Sequence, residues 1–292
     1  MQIIHSIPEL RATLKAHQKA ASGDVCLVPT MGNLHAGHIK LAEIAKQHAA
    51  CVVVSIFINP LQFGVNEDFG SYPRTLAADC EKLEGIADIV FAPSVGEMYP
   101  DFDGANTINP SLNQTMTITP PTIADALCGA SRPGHFAGVA TVVMKLFNII
   151  KPDVAVFGKK DFQQLFIIKQ MVKQFNLPIE IIAGETVREA SGLAMSSRNA
   201  YLTETERAAA SQLNKALQRL VQEIKGKKCT FDATIKTATS ALNAEGWTVD
   251  YIAICDANTL LPAQADDMHL VVLGAAKLGK TRLIDNIEFD LK

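Results

Sequence analysis

Five short runs in this chain are apolar almost throughout and rich in β-branched residues: VCLVPT (25–30), CVVVSIFI (51–58), ADIVFAP (87–93), DVAVFG (153–158) and IEIIAGE (179–185). A strand with one wet face alternates apolar and polar residues. These do not, so both of their faces must be covered. Between them lie stretches with helical spacing, HIKLAEIAKQHA (38–49), LAADCEKLEGI (76–86), GVATVVMKLFNII (138–150) and DFQQLFIIKQMVKQF (161–175). A first helix opens at PELRATLKAHQKA, framed by Ser6 and Glu9 as a capping box with Pro8 in its first turn. Strand–helix alternation of this kind predicts an α/β fold: a doubly wound, Rossmann-like parallel sheet over residues 1–185. The stretch 94–121, rich in Pro, Gly, Asn and Thr, reads as irregular.

The pattern changes after residue 185. Two helical stretches, about 203–225 and 231–244, precede WTVDYIAICD (247–256), HLVVLG (269–274) and TRLIDNIEF (281–289). Helices followed by separate strands predict a smaller C-terminal α+β domain over 186–292. One stretch there, GAAKLGKT (274–281), satisfies the phosphate-loop pattern G-x-x-x-x-G-K-[ST]. A phosphate loop joins a strand to a helix, whereas the residues after Thr281 alternate like a strand and the chain stops soon afterwards. KLGK therefore reads as the turn of a β-hairpin, with Gly279 at a positive φ.

With 292 residues, 48% hydrophobic and 20% charged, the chain has an ordinary globular composition. Its net charge of −3 gives no global attraction to nucleic acid or an anionic membrane. The longest apolar runs fall short of the roughly 20 residues a membrane helix needs, and the N-terminus lacks the pattern of a signal peptide. The six cysteines are scattered without a C-x-x-C, which reads as reduced, mostly buried thiols of a cytoplasmic protein rather than disulfides or structural zinc.

Chemistry concentrates at the ends of the predicted strands. VPTMGNLHAGHIKL (28–41) runs strand, glycine turn, helix, which suits an anion at the first crossover of a doubly wound sheet. His35 and His38 are three apart and can face one ligand. They read as donors to phosphate, as polar caps of a helix or, less well for lack of H-E-x-x-H, as zinc ligands. FGKKDFQQL (157–165) sets Lys159 and Lys160 before a helix start capped by Asp161, where cations oppose the helix dipole unless an anion is held, or are simply solvated. Gln163 and Gln164 are adjacent, so at most one faces the site. Asn59 and Gln62 follow the second strand, where amides can hold hydroxyls or a carboxylate or serve a turn. Ser196, Ser197 and Arg198 in LAMSSRNAYL (193–202) offer two hydroxyls and a guanidinium to phosphates or to an interdomain linker. Arg132 and His135 in SRPGHFAGV (131–139) could add an anion contact.

Taken together, PTMGNLHAGH, FINPLQF, RPGHFAGV, KPDVAVFGKKDFQQ, MSSRNAYL and TRLIDN, in that order over essentially the whole chain, resemble the pantothenate synthetase (pantoate–β-alanine ligase) family. The H-x-G-H element alone is shared with many nucleotidylyl transferases and one class of aminoacyl-tRNA synthetases. The resemblance implies an ATP-dependent ligase that joins pantoate to β-alanine through a pantoyl adenylate, releasing pyrophosphate and AMP, in a magnesium-dependent cytoplasmic homodimer. Neither nucleic acid nor membrane is implied as a partner.

By the same resemblance, Met31, Gly32, Asn33, Leu34, His35, Ala36, Gly37 and His38 line the ATP site. His38 is then the principal catalytic histidine, with His35, Lys160 and Arg198 beside it. Gly158, Lys159, Lys160, Asp161, Val187, Met195, Ser196, Ser197 and Arg198 complete the nucleotide contacts. Gln62 and Gln164 hold pantoate, Gln62 also lies near β-alanine, and Asn59 joins them. Position 159 departs from relatives, which often carry Glu or Gln there, and this leaves its contact open. Magnesium is expected on the ATP phosphates, with no protein ligand. The second domain is expected to swing on 185–198 as a lid.

Overall fold

The protein is described by a computed structural model covering residues 1–20, 23–64, 67–100, 114–226 and 230–291. It divides into two compact units. The first comprises Met1–Ala124, Arg132–Lys159 and Gln164–Gly184; the second comprises Asp125–Ser131, Lys160–Gln163 and Glu185–Lys292.

In chain order the first unit contains β1 (Gln2–Ile4), α1 (Ile7–Ala20), β2 (Val25–Thr30), α2 (Ala36–His48), β3 (Cys51–Ile56), α3 (Leu76–Leu83), β4 (Ile89–Phe91) and the short α4 (Val95–Met98). The stretch 94–121, expected to be irregular, thus holds one helical turn, and its residues 101–113 lie outside the described ones. The four-residue α5 (Cys128–Ser131) falls in the second unit. Then come α6 (His135–Ile150), β5 (Val154–Gly158), a 3-10 turn at Lys159–Asp161, α7 (Phe162–Gln174) and β6 (Glu180–Gly184). The sheet is parallel throughout, in the order β1-β4-β3-β2-β5-β6. The predicted doubly wound sheet is therefore present, with one strand more than the apolar runs show. MQIIHS hides β1 because three residues are too few to display a period.

Both faces are covered, as strands without alternation require. Cys26, Val28, Val52, Val54, Val90 and Val156 pack with Ala42 and Ala45 of α2 and Leu83 of α3. The intervening residues Leu27, Val53, Ile89 and Ala155 are equally buried on the opposite face. Strand order reverses at β2, which lies between β3 and β5. Ligands of open α/β sheets sit beyond the carboxyl ends of the strands at such a reversal.

The second unit contains α8 (Glu204–Ala209), α9 (Gln212–Lys225), α10 (Phe231–Ala244), β7 (Trp247–Asp256), β8 (His269–Leu278) and β9 (Thr281–Asp290). The single helix expected at 203–225 is two, interrupted at Ala210 and Ser211. The three strands form an antiparallel sheet in the order β7-β8-β9. Leu213, Leu217, Leu220 and Ile224 of α9 pack with Leu270, Val272 and Ala276 of β8. GAAKLGKT proves to be the end of β8 and the turn into β9, with Gly279 at φ +57°. A two-residue turn with glycine first is a favoured hairpin connection. The five described cysteines are free and buried, and burial pushes the Cys26 thiol up to about 12. Among the described residues, no helix is long and apolar enough to cross a membrane.

Candidate active site

The loop after β2 is shaped by backbone geometry and one buried carboxylate. Gly32 and Asn33 both take positive φ, +82° and +50°. A Cβ at Gly32 would lie 3.0 Å from Ile56 and 3.2 Å from Asp79. Asp79 of α3, fully buried, accepts the Leu34 amide on Oδ1 at 2.7 Å and the Asn33 amide on Oδ2 at 2.8 Å. Thr75 donates to Oδ2 at 3.0 Å, and Lys82 donates to the Leu34 carbonyl at 2.8 Å. Asp79 is absent from the sequence-based site. Its signal was available, since it lies on the helical stripe Leu76, Cys80, Leu83, where a lone carboxylate needs a partner.

At the entry of α2 the two imidazoles stack with ring centroids 4.0 Å apart. His35 Nδ1 accepts the Gly37 amide at 3.1 Å, and His38 Nδ1 accepts the His35 amide at 3.3 Å. Helix capping, one of the readings of the pair, is thus present, and it uses Nδ1 of each ring. A neutral imidazole that accepts at Nδ1 carries its hydrogen on Nε2. Both rings are held as Nε2–H donors at a helix N-terminus, where amides and dipole already favour an anion.

Past β3, residues Pro60–Gln62 form a 3-10 turn capped by Asn59. Asn59 is fully buried. Its Oδ1 accepts the Tyr99 hydroxyl at 2.7 Å and the Leu61 amide at 3.3 Å. Its Nδ2 donates to Gly138 O and to Gln62 Oε1, each at 3.1 Å. Arg132 and His135, expected as anion contacts, are engaged otherwise. Arg132 binds Glu67 through two 2.6 Å hydrogen bonds and reaches His135 Nε2 at 2.9 Å. Arginine can only donate, so His135 carries its proton on Nδ1 and donates to the Gln62 carbonyl at 2.8 Å. The pair fixes the turn that carries Gln62.

Gly158 ends β5 opposite Gly184, and Lys159 follows in the 3-10 turn. Gln164 of α7 is half-buried. In the second unit, Lys160 pairs with Asp161 at 3.6 Å, and its carbonyl accepts from Asn286 Nδ2 at 2.8 Å. Gln163 is buried and bonds to the Ala126 carbonyl and the Cys128 amide, which makes it structural. The Met195 amide donates to the Val187 carbonyl at 3.0 Å, which brings those two positions together. Ser196 caps the 3-10 turn Ser197–Tyr201, accepting the Arg198 amide at 3.3 Å. Arg188 grips Asp285 with bonds of 2.7 and 2.9 Å. TRLIDN thus supplies Asp285 and Asn286 as anchors for the 188 and 160 segments. Among the described residues, no group of three or more His, Cys, Asp or Glu could hold a metal ion.

A parallel sheet with a glycine turn at its reversal, and paired imidazole donors at the following helix entry, defines an α/β enzyme of the phosphate-handling kind. Comparison with known proteins makes the class narrower. The family model described as pantoate-beta-alanine ligase matches residues 2–288. A pantothenate synthetase of Methylobacillus flagellatus is 58% identical over 292 residues, covering 100% of this chain and 99% of the relative. The crystal structure of pantothenate synthetase from Thermus thermophilus superposes with a TM-score of 0.87 at 38% identity, covering 98% of this chain and 99% of that one. Pantoate-beta-alanine ligase from Francisella tularensis, solved in complex with beta-gamma ATP and β-alanine, gives a TM-score of 0.79 at 35% identity, covering 98% and 97%. The protein belongs to the pantoate–β-alanine ligase family and is a ligase.

Proposed function

We propose that this protein condenses pantoate with β-alanine at the expense of ATP, in two steps through an enzyme-bound pantoyl adenylate. The observation that carries the reading is the His35–His38 pair, two Nε2–H donors fixed at the N-terminus of α2. In the first step the pantoate carboxylate attacks the α-phosphorus and pyrophosphate leaves. Negative charge grows on the phosphate oxygens, and the two imidazoles and the positive end of the α2 dipole offset it in place. His38 is assigned the principal donor role. In the second step the β-alanine amine attacks the acyl carbon, AMP departs and the amine proton is lost.

Gln62 and Gln164 are assigned to pantoate. From the family resemblance, Gly158, Lys159, Lys160, Asp161, Val187 and Met195 to Arg198 are assigned to the nucleotide, with Lys160 and Arg198 adding positive charge. The donor set offers no protein cage for a divalent cation among the described residues; magnesium fits as an ion carried on the triphosphate, where it would neutralise charge. A cytoplasmic homodimer completes the reading, and light scattering should return twice the 31.5 kDa chain mass.

The test is pyrophosphate release from ATP with and without pantoate, followed by AMP release on adding β-alanine. Pantoate-independent release, or none, would overturn the reading. His38→Ala should fold and lower single-turnover adenylation by about 10²–10³-fold, the effect of losing one preorganised donor. A near-normal rate would remove His38 from its role.

A further inference from the structure

Gln62 is held from two sides by residues that no part of the proposed reaction uses. Its backbone carbonyl accepts from His135, itself set by the Arg132–Glu67 pair. Its side chain receives a bond from Asn59, and the direction of that bond can be traced outward. The Tyr99 hydroxyl is fully buried with its ring, and its partner at 2.7 Å is Asn59 Oδ1. The Leu61 amide also donates to that oxygen. Two donors converge on one atom, so it must be the oxygen of the Asn59 amide, and the NH₂ must be at the other end. The NH₂ then donates to Gly138 O and to Gln62. The Gln62 atom facing Asn59 is therefore the acceptor Oε1. Among the described residues Nε2 has no partner, so its two N–H groups are left to face a ligand.

We propose that Tyr99 is a positioning residue for the acid substrate: through Asn59 it selects the rotamer in which Gln62 presents donors rather than an acceptor. The ligand group that matches this face is an oxygen acceptor, a carboxylate or hydroxyl. Asn59 itself, expected at the sequence level to touch substrate, acts here through Gln62, because all four of its bonds lie within the protein. The inference rests on the assignment of Gln62 to pantoate.

The experiment is a double-mutant cycle on steady-state adenylation, with Tyr99→Phe, Gln62→Ala and the double variant, read as kcat/KM for pantoate and KM for ATP. Tyr99→Phe should lower kcat/KM for pantoate roughly three- to tenfold, the effect of one neutral hydrogen bond, with KM for ATP unchanged. In the Gln62→Ala background the same substitution should cost nothing further, because the amide it orients is gone. Asn59→Ala run through the same cycle gives a second route should Tyr99→Phe fold poorly. Gln62→Glu keeps an acceptor for Asn59 but offers the ligand no donor, so it should fall below Gln62→Ala. If Gln62→Ala leaves the pantoate kinetics intact, the assignment of Gln62 falls and this inference with it. If Gln62→Ala is impaired while Tyr99→Phe is not, or if the Tyr99→Phe penalty persists undiminished in the double variant, only the orienting role falls.

Discussion

Gly138 is the position at which one added methyl group should do the most damage to pantoate binding. It lies in the first turn of α6, against the 3-10 turn that carries Gln62. A Cβ there would lie 2.1 Å from Leu61 O, 2.5 Å from Leu61 C and 3.0 Å from the Gln62 amide nitrogen. Carbon–oxygen contacts settle at about 3.3 Å, so helix and turn must part by roughly 1.2 Å. Every atom in the way is backbone, so no side chain can swing aside. Overpacking of this kind costs about 1–3 kcal/mol, and losing the buried Asn59–Gly138 bond adds about 1 kcal/mol. The functional loss should be larger. A shift near 1 Å in a substrate-positioning group lowers activity on the order of 10²-fold. Gly138→Ala should therefore remain folded, melt several degrees lower, and lose about 10²-fold in kcat/KM for pantoate with KM for ATP little changed. Gly96→Ala in α4, where the nearest atom is 4.0 Å away, serves as the control. Wild-type pantoate kinetics in Gly138→Ala would show that the Gln62 turn does not need the close approach of α6.

Asp79→Asn keeps the shape of the clamp but sets an NH₂ against one loop amide. It should cost about 1–3 kcal/mol and raise KM for ATP in steady-state assays more than KM for β-alanine. Gly279→Ala should destabilise the protein by about 1–2 kcal/mol in denaturant melts, since φ is +57°; the Glu206 carboxylate nearby can swing aside. Lys280→Ala at the same hairpin should leave ATP affinity unchanged by calorimetry; loss of ATP binding with the fold intact would restore the phosphate-loop reading of GAAKLGKT. His269 lies 2.7 Å from Asp290 and 3.2 Å from Glu288, and the Asp290 hydrogen bond raises its pKa. The stabilisation is thus complete below its unfolded pKa of about 6.5 and lost as pH rises through the folded value. The site is half-exposed, so the melting difference between wild type and His269→Gln should stay below about 1 kcal/mol at pH 5.5 and vanish at high pH.

What could be read from the letters, and what could not, follows from the range over which each signal acts. Apolar runs of five or six residues carry their burial in their own composition, so β2, β3, β5 and β6 were legible within a residue or two. Gly279 was legible because positive φ restricts the residue type locally, and the loop around Gly32 was legible as a glycine turn between strand and helix. The side-chain network was not. Asp79 meets the Asn33 and Leu34 amides across 46 and 45 residues, Tyr99 meets Asn59 across 40, and Arg188 meets Asp285 across 97. The helical stripe marks Asp79 as buried and in need of a partner, but nothing in a local window says which segment it clamps.

The same distinction explains which site expectations changed meaning. His35 and His38 sit within one helical turn, so capping of α2 could be read from spacing as one of the alternatives, and the structure shows it. Asn59, Arg132 and His135 share polar character with direct ligands, yet each uses its hydrogen bonds on another protein group. A polar residue beside a strand end is therefore weak evidence of contact with substrate. The stronger criterion is the donor or acceptor left over once the internal bonds are assigned. By that criterion Nε2 of Gln62 is the atom left to meet a ligand among the described residues, while the four bonds of Asn59 all go to protein groups. The tautomers of His35 and His38 follow from their bonds in a similar way: with each Nδ1 accepting an amide, the ring hydrogen belongs on Nε2.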